Sequence, residues 1–461
     1  MPCHAFVSGL GGRIRRTAQL AQLSARAGAG LLAARRDERR GDDDASAEHH
    51  AQVAEALLAT LGSMKGAAMK VGQMLSFVDL DADPDTVETY RRRLEALQDA
   101  APPSDPEVIA AVVEEQFGAP VEQVFARWDA EPLAVASIGQ VHRARLQDGT
   151  EVVVKVQHPG IAEAVEADLA NLDRFAGLAR LANPRLDVGP LLAEVRERLG
   201  AELDYQQEAA FQQAFVERYA GHPFVRVPRV HHDHCRPRVL TSDFAPGKRF
   251  ADVLPGLSPA DRDRYGEIIF RFVFGSLYRF RIFNADPHPG NFLFPGDGTV
   301  VFLDFGCVKA FGTATRERLR AVHLAVMADD PGALLPALRA ADIAPAGGDV
   351  DITTVLRWFR LAHEPMNADA PATYTPDYAR RLAAASTDPR SEYQSALRSL
   401  AMPADYLMLN RITFGVNSLL ARLEPTANWQ RIMRELCQAS APSTPVGEAE
   451  AVWLATSRCH D

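Results

Sequence analysis

Cysteine is scarce in this chain and is not arranged for bonding. Cys3, Cys235, Cys307, Cys437 and Cys459 are scattered, odd in number and without paired spacing, which excludes a disulfide scaffold and fits a reducing compartment. Long apolar runs are lacking as well. Arginines or acids interrupt every candidate, Ile269 to Phe283 included, so no stretch reaches the roughly 18 apolar residues of a membrane-spanning helix. The region from Gly9 to Ala34 has neither the apolar core nor the cleavage site of a signal peptide. These absences predict a cytoplasmic protein, at most peripheral on a membrane surface. An excess of positive charge is missing too: the formal net charge of -10 argues against a general nucleic-acid partner. The first forty residues run the other way, with Arg13, Arg15, Arg16, Arg26, Arg35, Arg36, Arg39 and Arg40 facing only Asp37 and Glu38.

What is present suffices for one large two-lobed domain or two ordinary ones, since 47% of 461 residues are hydrophobic. Residues 1–50 read as a basic, poorly ordered arm. From 51 to 131 the pattern is helical, beginning with Leu61, Met64, Ala68, Val71 and Leu75 on one face. Alternation of the strand type starts at Pro132 and turns at Asp148-Gly149, which predicts three short strands in meander. Helical spacing returns over 161–182 and 188–219, followed by strands at 225–230 and 238–243. This stretch, 132–247, is one expected lobe. The second, 248–440, is helix-rich. It opens at the Ser258-Pro259-Ala260-Asp261 capping signal with a helix reaching about Phe280, and carries a hairpin around Gly296-Asp297-Gly298. Residues 441–461 read as a tail.

Phosphoryl transfer needs a flap over the phosphates, a lysine on them, metal-holding carboxylate and amide groups, and a carboxylate that positions the acceptor. All have candidates here, in kinase order. Asp286-Pro-His-Pro-Gly-Asn291 has the Asp-x4-Asn spacing of a kinase catalytic loop, and Asp304-Phe305-Gly306 follows after the hairpin. Lys155 ends Val152-Val153-Val154-Lys155 on the third strand, where kinases place a phosphate-binding lysine. Ala134-x-Ala136-x-x-Gly139-x-Val141 fits the phosphate loop G-x-G-x-x-G-x-V, with alanine at the first two glycines. A methyl group there removes the freedom by which glycine lets backbone approach phosphate closely.

The alanine loop with Ser137-Ile138-Gly139-Gln140-Val141-His142, the motif Lys70-Val71-Gly72-Gln73, the triplet Glu202-Leu203-Asp204 and Ala285-Asp286-Pro287-His288-Pro289-Gly290-Asn291 together resemble the UbiB/AarF/ADCK family of atypical kinases. The likeness spans roughly Leu57 to Gly306. It implies an α+β, two-lobed kinase-like fold with a helical N-terminal extension. It also implies ATP and Mg²⁺ as cofactors: Lys155 on the phosphates and paired with Glu208, the loop residues Ala134, Ala136, Ser137, Gly139 and Val141 over them, Asn291 and Asp304 on the metal, and Asp286 orienting the acceptor. Lys70 and Gln73 would fold over the cleft and meet Glu202 and Asp204, in a regulatory role. The implied partners are ATP, a small-molecule or lipid substrate such as a quinone precursor, and a membrane surface. Val135 and Asn284 depart from the family's usual alanine and histidine without removing a ligand.

The function expected is that of an Mg-ATP-dependent ATPase or small-molecule or lipid kinase supporting isoprenoid-quinone biosynthesis or lipid homeostasis. An aminoglycoside- or choline-type phosphotransferase shares Asp286, Asn291 and Asp304 but not the two regulatory motifs. A nucleotide-sensing scaffold would bind ATP without acceptor-dependent turnover. Two further features are set aside: His231-His232-Asp233-His234-Cys235 as a solvated turn rather than a metal cluster, and Phe270, Phe272, Phe274 and Phe280 as core.

Overall fold

The computed structural model describes residues 103–457, apart from 137, 168, 171–195, 197–199, 201, 285–286, 388–390, 398 and 402. The chain divides into two compact units, and the described parts of Met1–Gly149, Val154–Asp204 and Arg236–Val239 form the first. Helix α1 (Pro106–Phe117) starts where the Asp105 side chain accepts from Glu107 N–H with proline in the first turn. It ends at Gly118, whose φ of 69° lets its N–H reach the Glu114 carbonyl. Strands β1 (Arg127–Val135) and β2 (Gly139–Arg145) pair antiparallel, with irregular register on both sides of Pro132. Proline is tolerated there because β1 is the edge strand of the sheet. Strand β3 (Glu151–Gln157) follows the Gly149 turn, with Val152, Val154 and Val156 fully buried and Lys155 half-buried on the alternate face. Its last residue donates its backbone N–H to the Arg238 carbonyl at 3.1 Å.

The second unit begins its ordered helices with α2 (Tyr205–Arg218). The periodicity predicts one helix over 188–219, but the described chain turns before Tyr205: Leu203 N–H bonds the Gly200 carbonyl. The strands expected at 225–230 and 238–243 are also rearranged. β4 (Val225–Arg226) pairs in parallel with β9 (Val300–Phe302), and β5 (Val239–Asp243) joins the order β1-β2-β3-β5. Only the Val230 and Ser242 bridge links the two regions in the expected antiparallel sense. β6 (Lys248–Arg249) and β8 (Phe292–Phe294) complete the sheet β4-β9-β8-β6, whose centre is the predicted hairpin, with Phe292 opposite Phe302.

Helix α3 (Pro259–Gly275) is capped by Ser258, whose hydroxyl accepts from Asp261 N–H and donates to its carboxylate. Every residue from Tyr265 to Gly275 is buried, so this is a central helix rather than an amphipathic one. It does not continue to Phe280 as α-helix; Ser276–Phe280 widen into a π-helical turn. Phe270, Phe272 and Phe274 lie in the core. β7 (Ile282–Asn284) and β10 (Val308–Ala310) then pair antiparallel. Helices α4 (Thr313–Met327), α5 (Pro331–Ala340), α6 (Ile352–Ala362), α7 (Pro376–Thr387), α8 (Ala404–Leu423), α9 (Trp429–Gln438) and α10 (Pro445–Ser457) complete the unit. None of the described helices is long and apolar enough to cross a membrane.

Candidate nucleotide site

In the first unit Ala136 N–H donates to the Gly139 carbonyl at 2.7 Å between β1 and β2, and Ile138 is buried. Ala134 and Val141 face each other across the ladder. Lys155 and Gln157 share one face of β3, because side chains two apart point the same way. The Gln157 amide donates to the Leu203 carbonyl at 2.7 Å. The strand that carries Lys155 therefore also anchors the Glu202-Leu203-Asp204 turn, in which Glu202 is buried and Asp204 exposed.

In the second unit the hairpin ladder runs one step past β8 and β9, with Leu303 N–H on the Asn291 carbonyl at 3.0 Å. Asn291 and Asp304 are thereby held on adjoining strand ends. The Asp304 carboxylate accepts from Gly306 N–H at 2.9 Å, a turn that fixes the carboxylate against its own backbone. Asn284 at the end of β7 donates its amide to the Asp304 carbonyl. Phe305 is fully buried against Phe215 of α2, ring centroids 4.9 Å apart. Phe215 is two helical turns from Glu208, hence on the same face. Glu208 is itself buried, and its carboxylate oxygen would lie 3.6 Å from a methyl group added at Gly306. One face of α2 thus seats both the aromatic and the glycine of Asp304-Phe305-Gly306, with a carboxylate above them.

The loop before β8 is braced from both sides. His288 Nδ1 accepts from Gly290 N–H at 3.1 Å, and a methyl group at Gly415 of α8 would stand 2.6 Å from the Pro287 ring. β7, which leads into this loop, is zipped to β10, which leaves the Asp304 turn, by the pair Asn284 and Val308. Glu208, Asn291 and Asp304 therefore belong to one constellation of the second unit, while Ala134, Ala136, Gly139, Val141, Lys155, Glu202 and Asp204 belong to the first. Asp286, Ser137, Lys70 and Gln73 lie outside the described residues.

Sequence reasoning assigned no role to Asn284, to the Phe215 and Phe305 contact or to Gly415. Asn284 was visible as a departure from a motif; a lone phenylalanine or glycine far along the chain carries no local signal. The histidine-rich turn is accounted for by internal bonds, with His231 on the Asp243 carboxylate at 2.7 Å and Cys235 Sγ toward the His231 carbonyl at 3.4 Å. Asn291 and Asp304 can each offer a side-chain oxygen, which is what Mg²⁺ takes beside phosphate.

Residues 96–336 match the ABC1 atypical kinase-like domain. The mitochondrial atypical kinase COQ8B of Rattus norvegicus is 36% identical over 261 residues, 56% of this chain and 49% of that protein. The probable protein kinase UbiB of Azotobacter vinelandii is 36% identical over 248 residues, 52% of this chain and 45% of that protein. The chain spans about half the length of these curated relatives. Among solved structures, the complex of Rv3197 with erythromycin from Mycobacterium tuberculosis is 30% identical, with a TM-score of 0.64, covering 86% of this chain and 98% of that one. The α+β kinase-like fold expected from the sequence is the fold found, and the chain belongs to the ABC1 atypical kinase-like family.

Proposed function

We propose that the chain binds Mg-ATP and hydrolyses it, or transfers its terminal phosphoryl group to a small molecule or lipid, in support of isoprenoid-quinone biosynthesis. The observation that carries this reading is the seating of Asp304-Phe305-Gly306 on the Glu208 face of α2. It presents a carboxylate at a fixed backbone turn beside an amide-bearing residue, Asn291, on the adjoining strand end. When bound, Mg²⁺ would supply charge neutralisation at the phosphates, and Asn291 and Asp304 would hold it. Lys155 would take the phosphates, with Glu208 as its partner, and Asp286 would orient the acceptor hydroxyl or water. The quinone connection rests on relatives named UbiB and COQ8B. The arginines among the first forty residues would add contact with an anionic membrane, the surface on which such substrates are found.

The test is thermal unfolding of the full chain with and without Mg-ATP. A ligand at one hundred times its Kd stabilises by about 2.7 kcal/mol. The wild type should show such a shift, dependent on Mg²⁺, and Asp304→Asn should lose most of it. No shift in the wild type, or an equal shift in Asp304→Asn, sinks the assignment.

A further inference from the structure

The alanine loop is stapled to the protein by a second histidine that no motif of the phosphate site includes. His158 follows directly on β3. Its backbone N–H donates to the Ile138 carbonyl at 2.9 Å, and its ring Nε2 lies 3.3 Å from the Ala136 carbonyl. A carbonyl only accepts, so Nε2 carries the proton, and in the neutral ring Nδ1 is an acceptor. At 2.8 Å from Nδ1 stands the Ser104 hydroxyl, which therefore donates.

Ser104 also feeds a second line of bonds. Its backbone N–H donates to Gln140 Oε1 at 2.9 Å, and Gln140 Nε2 is 2.8 Å from His142 Nε2. His142 Nδ1 is 2.9 Å from the Asp129 carbonyl. The same logic runs through this line: the Asp129 carbonyl takes the Nδ1 proton, His142 Nε2 is bare, and the Gln140 amide donates to it. Both Gln140 and His142 are fully buried, and His142 stacks on Trp128 at 4.7 Å. Burial holds the His142 ring below its ordinary pKa, as a neutral ring in this role requires. With both rings neutral, each of these bonds has its donor and its acceptor in a single arrangement of the two rings and the amide. The two donors of Ser104 are where the lines join.

We propose that His158 and Ser104 are positioning residues of the nucleotide site, which hold the backbone at Ala136 and Ile138, between β1 and β2, in the shape that meets a polyphosphate. The inference rests on the reading of this chain as an Mg-ATP-binding protein. The phosphate loop is then not a free-standing flap. Its two central carbonyls are tied to the end of the strand that carries Lys155, and through Ser104 to the residues immediately before α1. Neither His158 nor Ser104 touches the nucleotide in this scheme. Loss of either bond loosens the loop at Ala136, so the cost falls on binding of the phosphates and not of the base.

Isothermal titration of the full chain with Mg-ATP, Mg-ADP and adenosine separates the cases. His158→Ala should weaken both nucleotides about tenfold, the weight of one or two buried hydrogen bonds, and leave adenosine unchanged. His158→Gln keeps a donor toward Ala136 and an acceptor toward Ser104, and should recover most of the affinity. Ser104→Ala, which removes only the hydroxyl, should cost about threefold. Nucleotide affinity unchanged in His158→Ala overturns the proposal, as does an equal loss for nucleotides and adenosine, which would mark a merely structural residue. If His158→Ala does not fold, Ser104→Ala decides: a loss confined to the two nucleotides supports the proposal, and unchanged nucleotide affinity or an equal loss for adenosine overturns it. A wild type that binds no nucleotide overturns the underlying reading, and the proposal with it.

Discussion

At Gly415 one missing methyl group decides where the loop before β8 can run. A Cβ there would meet the Pro287 ring at 2.6 Å, and a proline ring has no rotamer by which to move aside. Gly415→Ala should therefore shift Pro287, which follows directly on Asp286, the residue proposed to orient the acceptor. Overpacking of this kind costs about 1–3 kcal/mol. The expected outcome is a drop in phosphate release at saturating Mg-ATP, with nucleotide Kd retained and the urea midpoint lowered; equal turnover and midpoint would show that the helix does not brace the loop. Legibility at this scale follows from chemistry. Asp304, Asn291 and Lys155 stand out in the sequence as candidates because phosphoryl transfer would demand those groups at those intervals. Gly415 and His158 could not, because their partners are distant in sequence and they act by space and by hydrogen bond.

Between whole elements the least expected feature is the joint of α3, α9 and α10. Arg271 is buried and reaches three glutamates, Glu267 at 2.6 Å, Glu435 at 2.6 Å and Glu450 at 2.9 Å. Arg279 adds a second cation on Glu450 at 2.6 Å. The segment that reads as a tail in the sequence is thus a helix, held by ions that a hydrophobic-periodicity argument cannot find. Gly447 permits the approach, since a methyl group there would stand 2.5 Å from the guanidinium. Burial alone would raise the Glu450 carboxyl, but the His222 ring and the charges of Arg279 and Arg271 outweigh it and bring the carboxyl down to about 2. Its folded value lies below the ordinary 4.5, so its contribution to stability is complete above that value and fades as pH falls toward 2. Glu267, raised by burial, works in the opposite sense over its own titration. Thermal midpoints of the wild type should fall more steeply from pH 4.5 to pH 2 than those of Glu450→Gln. Parallel curves would remove Glu450 from the acid response. Other misreadings have the same root. Apolar periodicity located α3 and the central hairpin, while the break before Tyr205 and the parallel pairing of β4 depend on hydrogen bonds to residues far along the chain.

For the molecule as a whole, the course of the chain after Asp304-Phe305-Gly306 bears on what can be a substrate. Protein kinases that phosphorylate peptides carry a segment there, closed by an Ala-Pro-Glu anchor, on which regulation and peptide docking turn. Here Gly306 leads at once into β10, which pairs with β7, and α4 begins at Thr313 behind its Gly312 cap. Only Cys307 to Gly312 separates the turn from the helix, and half of that is strand. Phe311 N–H closes the stretch on the Arg281 carbonyl at 2.7 Å, so its backbone is already engaged. The pairing of β10 with β7 takes up half of the interval. The chain should therefore transfer no labelled phosphate from ATP to generic protein substrates under conditions in which it consumes ATP. Phosphorylation of such proteins by the wild type, absent in Asp304→Asn, would mean that a peptide reaches the site by a route other than this segment and would overturn the small-molecule or lipid reading.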